Sequence, residues 1–523
     1  MRRIISVFLA SFYAVTAFAV VKPAGIFTDS MVLQRGEDVR VWGTAEAGEK
    51  VTVAFAGQIK DAVAGKDGRW MVTLAKMDVC TQGRPLVFKG SATAQPVELK
   101  DVLVGEVWLG GGQSNMDTGM AYYRKTTQPD ITSANDPLLR MLTIPRLEYA
   151  GQNTNCPQWR TTTPQTVAGF SACAYYFAKN LRGKLNIPVG IINCSVGATP
   201  AEAWMSRKTM ESSADLKRIL GGYEKVYRKA FATDEEYRKY YDEYMVVFNE
   251  FLRKLAAGEP AGPHPQQKMG PMNYRRPCGL HETMLSQVIP FTIRGVIWYQ
   301  GENNANDQAG FHYRTVFPAL IQEWRQEFQR NEMPFLFVQL ATYGPARDET
   351  PLWPELRESQ SWTEDNVRNA GMIVLVDGGE LDNIHPFSKD KAGYRLSLLA
   401  RNMVYGEKDL VCRGPRVKAK KCEKGIIKLT FKDTGSGLEL KPEAISAFEV
   451  CGKDGKYVPA EAKLVDGKII VSAKSVSEPQ NARYGWRKWF VPTLFNKEGL
   501  PASPFRTDDF PLVTKDRYYL DKL

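Results

Sequence analysis

Hydrophobic and polar positions change rhythm twice along the chain. From Val20 to about Leu99, short runs alternate with period two, as in Val39-Arg40-Val41-Trp42 and Val51-Thr52-Val53-Ala54. Lys66-Asp67-Gly68-Arg69 reads as a hairpin turn into Trp70-Met71-Val72. This predicts a small N-terminal β-domain over residues 20–100. From there to about Tyr405 the apolar runs lose their polar alternation: Val104–Leu109, Val189–Asn193, Val296–Tyr299, Phe335–Leu340 and Ile373–Val376. Stretches of helical period separate them, among them Ser171–Leu185, Tyr313–Arg330, Pro354–Asn366 and Lys389–Val404. Continuous apolar strands between helices predict a parallel sheet covered on both faces, a three-layer α/β/α domain over residues 101–406. A charged, Tyr-rich helical insertion at about 207–257 interrupts it and is expected beside or over the rim of the sheet. After Leu410 the alternation returns in Ile426–Thr430, Ala447–Val450 and Lys468–Val471, predicting a C-terminal β-domain over residues 407–523.

Composition narrows the functional classes. With 523 residues, 43% hydrophobic and 24% charged, the chain has ample material for several packed domains. The excess of 69 basic over 58 acidic residues gives +11, but it is spread out, with Arg416–Lys421 the one tight cluster. No basic face interleaved with aromatics and no nucleic-acid module is present, so a basic solvated surface is expected and no nucleic-acid partner. Arg2 and Arg3 precede an apolar run from Ile4 to Phe18 that ends in Ala17-Phe18-Ala19. This reads as a signal peptide over residues 1–19, cleaved after Ala19, and predicts a periplasmic or secreted protein. No later run is long and apolar enough for a membrane span. The eight cysteines are too dispersed for a disulfide scaffold, and Cys194, inside an apolar run, is expected as a buried thiol. No C-x-x-C pair exists and the four histidines are scattered, so neither a metal nor a cofactor is expected.

Ligands of an open parallel sheet bind outside the carboxyl ends of its strands. Four of the five predicted strand ends run into the residue types that hydrolysis requires. They are Gly110-Gly111-Gly112-Gln113-Ser114-Asn115-Met116, Ser195-Val196-Gly197-Ala198-Thr199, Gln300-Gly301-Glu302-Asn303, and Asp377-Gly378-Gly379 followed by Asp382-Asn383-Ile384-His385-Pro386. The glycine run brings Ser114 to the top of the sheet, and neither GxGxxG nor GxxxxGK[ST] is present to favour a phosphate loop. A serine needs an adjacent base. Of His264, His281, His312 and His385, only His385 follows a strand end with an aspartate, Asp382, three residues before it. The expected triad is Ser114 as nucleophile, His385 as general base and Asp382 as its orienter. With an ordinary imidazole near 6.5, activity would rise through roughly pH 6–7.5. The oxyanion needs donors placed in advance. The backbone N–H groups of Ser114 and Gly197 are expected to supply two. Gln300 or Asn303 would supply a side-chain amide, with Gln300 favoured because it follows the strand directly. Gln113 and Glu302 are expected in supporting roles. Reading Glu302 and Asp382 as a glycosidase pair would leave Ser114, Gly197 and His385 without a task.

The blocks GQSNM, SVGATPAEAW, WYQGENNA and DNIHP resemble those of SGNH-type hydrolases. More closely, they are similar to the sialate O-acetylesterase and acetylxylan esterase branch. The resemblance extends to VLQR, VWGTAEAGEKV and GRW near the start and LFNKEGLPASPFRTD near the end. It implies an SGNH α/β hydrolase flanked by two β-domains, with the triad on Ser114, Asp382 and His385. It also implies oxyanion donors at Gly197 and within Gln300–Asn303. Where relatives carry Gly-Leu-Tyr-Asn-x-Met, this chain has Gly279-Leu280-His281-Glu282-Thr283-Met284. The expected substrate is an O-acetylated sugar or glycan, first an acetylated sialic acid and second acetylated xylan or another plant glycan. A catalytically silent carbohydrate-binding protein is the reading from a different class.

Overall fold

The computed structural model describes residues 21–92, 95–149, 152, 156–307, 309–344, 350–442 and 446–517. The expected signal peptide lies outside the described residues. The molecule is organised around one long strand, β1 (Val97–Gly112), whose first residues are partly exposed and whose last eleven are all buried. Its outer half pairs antiparallel with Cys80–Gly90 and parallel with Val32–Gln34, strands of the N-terminal β-region. Its inner half is the centre of the main sheet. The boundary expected at residue 100 therefore falls inside a continuous strand, and the N-terminal region is joined to the main sheet through hydrogen bonds. Glu106, in the middle of β1 with its side chain wholly buried, holds this junction. It forms ion pairs with Arg35 (2.5 Å) and Arg294 (2.7 Å) and accepts hydrogen bonds from Gln34 (3.1 Å) and Tyr405 (3.1 Å).

The other strands of the main sheet are β2 (Asp136–Thr143), β3 (Arg160–Thr162), β4 (Val189–Ser195), β5 (Gly295–Tyr299), β6 (Phe335–Val338) and β7 (Ala370–Ile373). Their spatial order is β3-β2-β4-β1-β5-β6-β7, parallel throughout except for the edge strand β3. The chain fills the sheet first on one side of β1, where β4 inserts last between β2 and β1, and then on the other. β1 is thus the switch point at which the loops of β4 and β5 part and leave a crevice. The helices α1 (Ser114–Asp117), α2 (Ala172–Leu185), α3 (Glu302–Asn306), α4 (Tyr313–Glu327), α5 (Leu352–Asn366) and α6 (Lys389–Met403) follow strands, and α2, α4, α5 and α6 are the ones the periodicity predicts. Strands β4 to β7 are buried at every position, which is why they read as unbroken apolar runs.

The insertion forms helices at Arg207–Met210, Ala214–Ala230 and Asp234–Ala257. It has its own aromatic core of Tyr227, Phe231, Tyr237 and Tyr241. Tyr241 packs edge-on against Tyr149, just beyond the carboxyl end of β2, which places the insertion at the rim of the sheet. The C-terminal region is all β and docks on α5. Glu355 accepts from Val513 and Thr514, and Arg357, wholly buried, donates to the carbonyls of Arg487 and Lys488. Among the described residues no helix is long and apolar enough to cross a membrane.

Candidate active site

The three glycines before Ser114 are still part of β1, wedged between its neighbours. A Cβ on Gly111 would meet the rings of Trp298 and Trp324 at 3.0–3.1 Å. Gly112 has φ +131°, and a Cβ there would sit 2.2 Å from the Tyr299 carbonyl oxygen. Only glycine fits this position. The main chain is then pinned on both sides, as Gln113 N donates to Tyr299 O (3.0 Å) and Val196 N donates to Gly112 O (3.2 Å). At Ser114 the strand gives way to one helical turn, closed by Thr118, whose N–H (2.9 Å) and hydroxyl (2.6 Å) both donate to the Ser114 carbonyl. The Ser114 side chain emerges from this turn at the crevice.

There it meets His385, with Nε2 2.8 Å from Oγ. The loop beyond β7 that carries His385 is shaped by polar side chains. Asn383 Oδ1 accepts from His385 N (2.9 Å), Asn383 Nδ2 donates to His385 O (2.8 Å), and Glu380 accepts from Phe387 N (2.7 Å) and Asn383 (3.0 Å). Burial, reinforced by the positive charge of Lys389, pushes the imidazole below its ordinary value. This moves the expected pH dependence downward from the unperturbed 6–7.5 range. The other three histidines are engaged elsewhere. His281 bonds Glu327, His264 packs on Phe248 and Phe251, and His312 is buried at the start of α4. Asp382 lies on the same turn as His385 but is exposed, and among the described contacts no hydrogen bond joins the two.

Gly197 lies against the nucleophile turn, where a Cβ would come within 3.4 Å of Ser114 Cβ. Gln113, buried, uses its carbonyl oxygen to gather the turn after β5, accepting from Gly301 N (3.4 Å), Asn303 N (3.2 Å) and Gln300 Nε2 (3.2 Å). The expectation that Gln300 is the side-chain oxyanion donor is not met. Gln300 is fully buried, its amide nitrogen also donates to Thr199 O (3.1 Å) and Asn304 Oδ1 (2.6 Å), and its oxygen accepts from Tyr313 (2.8 Å). Position directly after a strand aims a side chain into the core. Asn303 lies one turn farther on, its amide nitrogen 3.3 Å from Pro200 N at the end of the Gly197 loop. That nitrogen donates to Asp307 Oδ2 (3.0 Å) and the amide oxygen accepts from Arg275 Nη2 (2.9 Å). Burial pushes the Asp307 carboxyl up to about 7 against the pull of Arg275.

Glu302, 3% exposed, is held by Asn115, and burial raises its carboxyl. A buried, hydrogen-bonded Glu302 and an exposed Asp382 do not form a glycosidase pair. Three residues at the site had no prior role. Asp117 on α1 faces Ser195 and Gly197, and burial raises its carboxyl against Arg146 and those donors. Asn115 and Lys389 meet beneath the serine. In the sequence, Asn115 adjoins the nucleophile and could have been found there. Lys389 reads only as a solvated first residue of a helix.

A serine hydroxyl bonded to an imidazole at the switch point of a parallel sheet, beside a glycine loop, is the arrangement of a serine hydrolase. Comparison with known proteins narrows the class. The profile of the family "carbohydrate esterase, sialic acid-specific acetylesterase" matches residues 104–234 and 272–396, skipping the helix Asp234–Ala257 and the loop after it. The sialate O-acetylesterase of Rattus norvegicus is 28% identical over 92% of this chain and 93% of its own. That of Homo sapiens is 26% identical over 92% and 91%. The crystal structure of a carbohydrate acetylesterase from Xanthomonas citri is 31% identical, covers 94% of this chain and 100% of its own, and superposes with a TM-score of 0.77. The chain belongs to this family of carbohydrate esterases, and it is an esterase.

Proposed function

We propose that the protein removes O-acetyl groups from sugars through an acetyl-serine intermediate, with acetylated sialic acid as the first substrate. The observation that carries this is the 2.8 Å contact between Ser114 Oγ and His385 Nε2 at the crest of the sheet. As Oγ attacks the acetyl carbonyl, Nε2 takes its proton, and the oxygen that becomes negative faces the Ser114 and Gly197 N–H groups and the Asn303 amide. The tetrahedral centre collapses, the sugar hydroxyl leaves with the proton from His385, and water releases acetate by the same steps in reverse. Asp382 is the acid member of the triad in this reading; catalytic hydrogen bonds that are open without substrate often close in the complex.

An acidic sugar is favoured over neutral xylan by a cavity of about 460 Å³ next to Asn303, lined by Lys229, Lys268, Arg275 and Asp307. The relatives from Rattus norvegicus and Homo sapiens named above bear the same substrate in their names. The test is acetate release from a panel of acetylated sialic acid, xylan and neutral monosaccharides, with Ser114→Ala alongside. The variant is expected to lose about 10⁴–10⁶ in kcat. More than a tenth of wild-type activity in Ser114→Ala would refute the nucleophile, and a preference for neutral sugars would refute the substrate. A binding protein without catalysis would show no Ser114-dependent labelling by a fluorophosphonate.

A further inference from the structure

Three segments that the chemistry must hold in register meet on one side chain. Asn115, next to Ser114 and 2% exposed, donates from Nδ2 to the carbonyl of Ile384 (3.0 Å), the residue before His385, and to Glu302 at the start of α3. Its Oδ1 accepts from Lys389 Nζ at 2.5 Å. Lys389, the first residue of α6, is 0% exposed. Among the described residues the one hydrogen bond recorded for its ammonium goes to this neutral amide. An ammonium buried without a directly bonded carboxylate is costly to keep.

The chemistry of the pair explains what the cost secures. A side-chain amide has one accepting and one donating end and can turn end for end, whereas an ammonium only donates. With Lys389 on one side, Oδ1 must face it, so both N–H groups must point at Ile384 O and Glu302. Without the lysine the amide loses the one donor that demands its oxygen, and only the Ile384 carbonyl and the Glu302 carboxyl, against which a reversed amide would set its oxygen, still hold that polarity. We propose that Lys389 is a positioning residue of the active site: it locks the Asn115 amide so that this amide clamps the His385 loop and the third strand end to the nucleophile turn. The inference rests on Ser114 and His385 being the nucleophile and base.

The surroundings are those of a held cation. The rings of Tyr123 and Tyr299 lie 5.1 and 5.5 Å from Nζ. Burial pushes it down to about 8 against the pull of Glu302 and Glu380, so it stays charged at neutral pH. The groups facing His385 are Ser114, the edge of the Tyr122 ring and the Lys389 charge. That charge favours neutral imidazole, which gives the role a signature that packing alone lacks.

The experiment compares Lys389→Met, Asn115→Ala and the double variant in the full-length enzyme, using 4-nitrophenyl acetate. It reads kcat, KM, the acid limb of the pH profile and the melting temperature. Loss of alignment at a serine–base pair lowers kcat by about 10²-fold. Lys389→Met is expected to show this with KM little changed and the acid limb moved to higher pH. The double variant should lose little more than Asn115→Ala, because both break one clamp. A kcat within threefold of wild type, an unmoved acid limb, or effects of the two changes that multiply would overturn the proposal. Should Lys389→Met fail to fold, Lys389→Gln is scored by the same limb shift. Ser114→Ala keeps the two readings separate. Full activity there overturns the nucleophile itself, whereas a dead Ser114→Ala beside a wild-type Lys389→Met overturns the clamp alone.

Discussion

Gln300 and Asn303 sit three residues apart after the same strand, yet the structure assigns them opposite kinds of failure. Truncating Gln300 to alanine removes the donor to Thr199 O and the acceptor of the Tyr313 hydroxyl. Gln113 Oε1 and Asn304 Oδ1 keep other donors, the N–H groups of Asn303 and Ala201 among them. Two buried groups are left wanting, at about 1–3 kcal/mol each, so the loss is about 2–6 kcal/mol. For a folding unit of 150–250 residues each kcal/mol shifts the melting point by about 2–4 °C, so a drop of roughly 4–24 °C is expected. Asn303 is 8% exposed, and Arg275 and Asp307, the groups its amide bonds, also pair with each other at 3.2 Å, so Asn303→Ala should lower the melting point less than Gln300→Ala. It should lower kcat by about 10²–10³ with KM nearly constant, the mark of a donor used in the transition state. Calorimetry and steady-state kinetics on the same preparations decide it. A Gln300→Ala protein that melts like wild type and loses only kcat would refute the assignment, as would an Asn303→Ala protein that is destabilised but turns over normally.

The remaining predictions concern the base, its partner and the strand beneath them. Because burial and Lys389 depress the imidazole and the neutral form is the base, activity rises with pH through a midpoint below the ordinary value of about 6.5; a kcat/KM profile with its midpoint above 7 would contradict this. Asp382→Asn is expected to lower kcat by about 10²–10⁴, and a loss under threefold in stopped-flow acetate release would show that His385 works without it. Gly112→Ala combines a 2.2 Å overlap with Tyr299 O and a φ of +131°. It should cost about 2–5 kcal/mol, and a wild-type melting curve would show that the strand yields more easily than its packing implies.

The strand ends and helices were legible because covered strands carry unbroken apolar runs and their helices a 3.6-residue period. Tyr313–Arg330 and Lys389–Val404 differ from α4 and α6 by three residues or fewer. The apolar pattern puts the last strand three residues late, since Leu375 and Val376 are apolar through burial in a turn and not through extension. The pattern ends β1 at Leu109 because Gly110–Gly112 carry no side chains for it to read. What makes them a strand is contact with Trp298, Trp324 and Tyr299, almost two hundred residues away. The chemistry was legible where residue type and strand end coincide, at Ser114, Gly197 and His385. The roles of Gln300, Asn303 and Lys389 depend on where a side chain points within the packed core, which spacing does not carry.

The length of β1 limits how this enzyme can be trimmed. A chain cut to begin near residue 104, where the family match starts, would lose Gln34 and Arg35 from around Glu106, leaving that buried carboxylate short of an ion pair and a hydrogen bond. Arg294 would still pair with Glu106, so the loss stays below the about 3–5 kcal/mol of a fully broken buried pair, and it would fall on the very strand whose far end fixes the serine. The N-terminal β-region thus works as a splint on the nucleophile strand, and damage there would surface as lost turnover at a site it never touches.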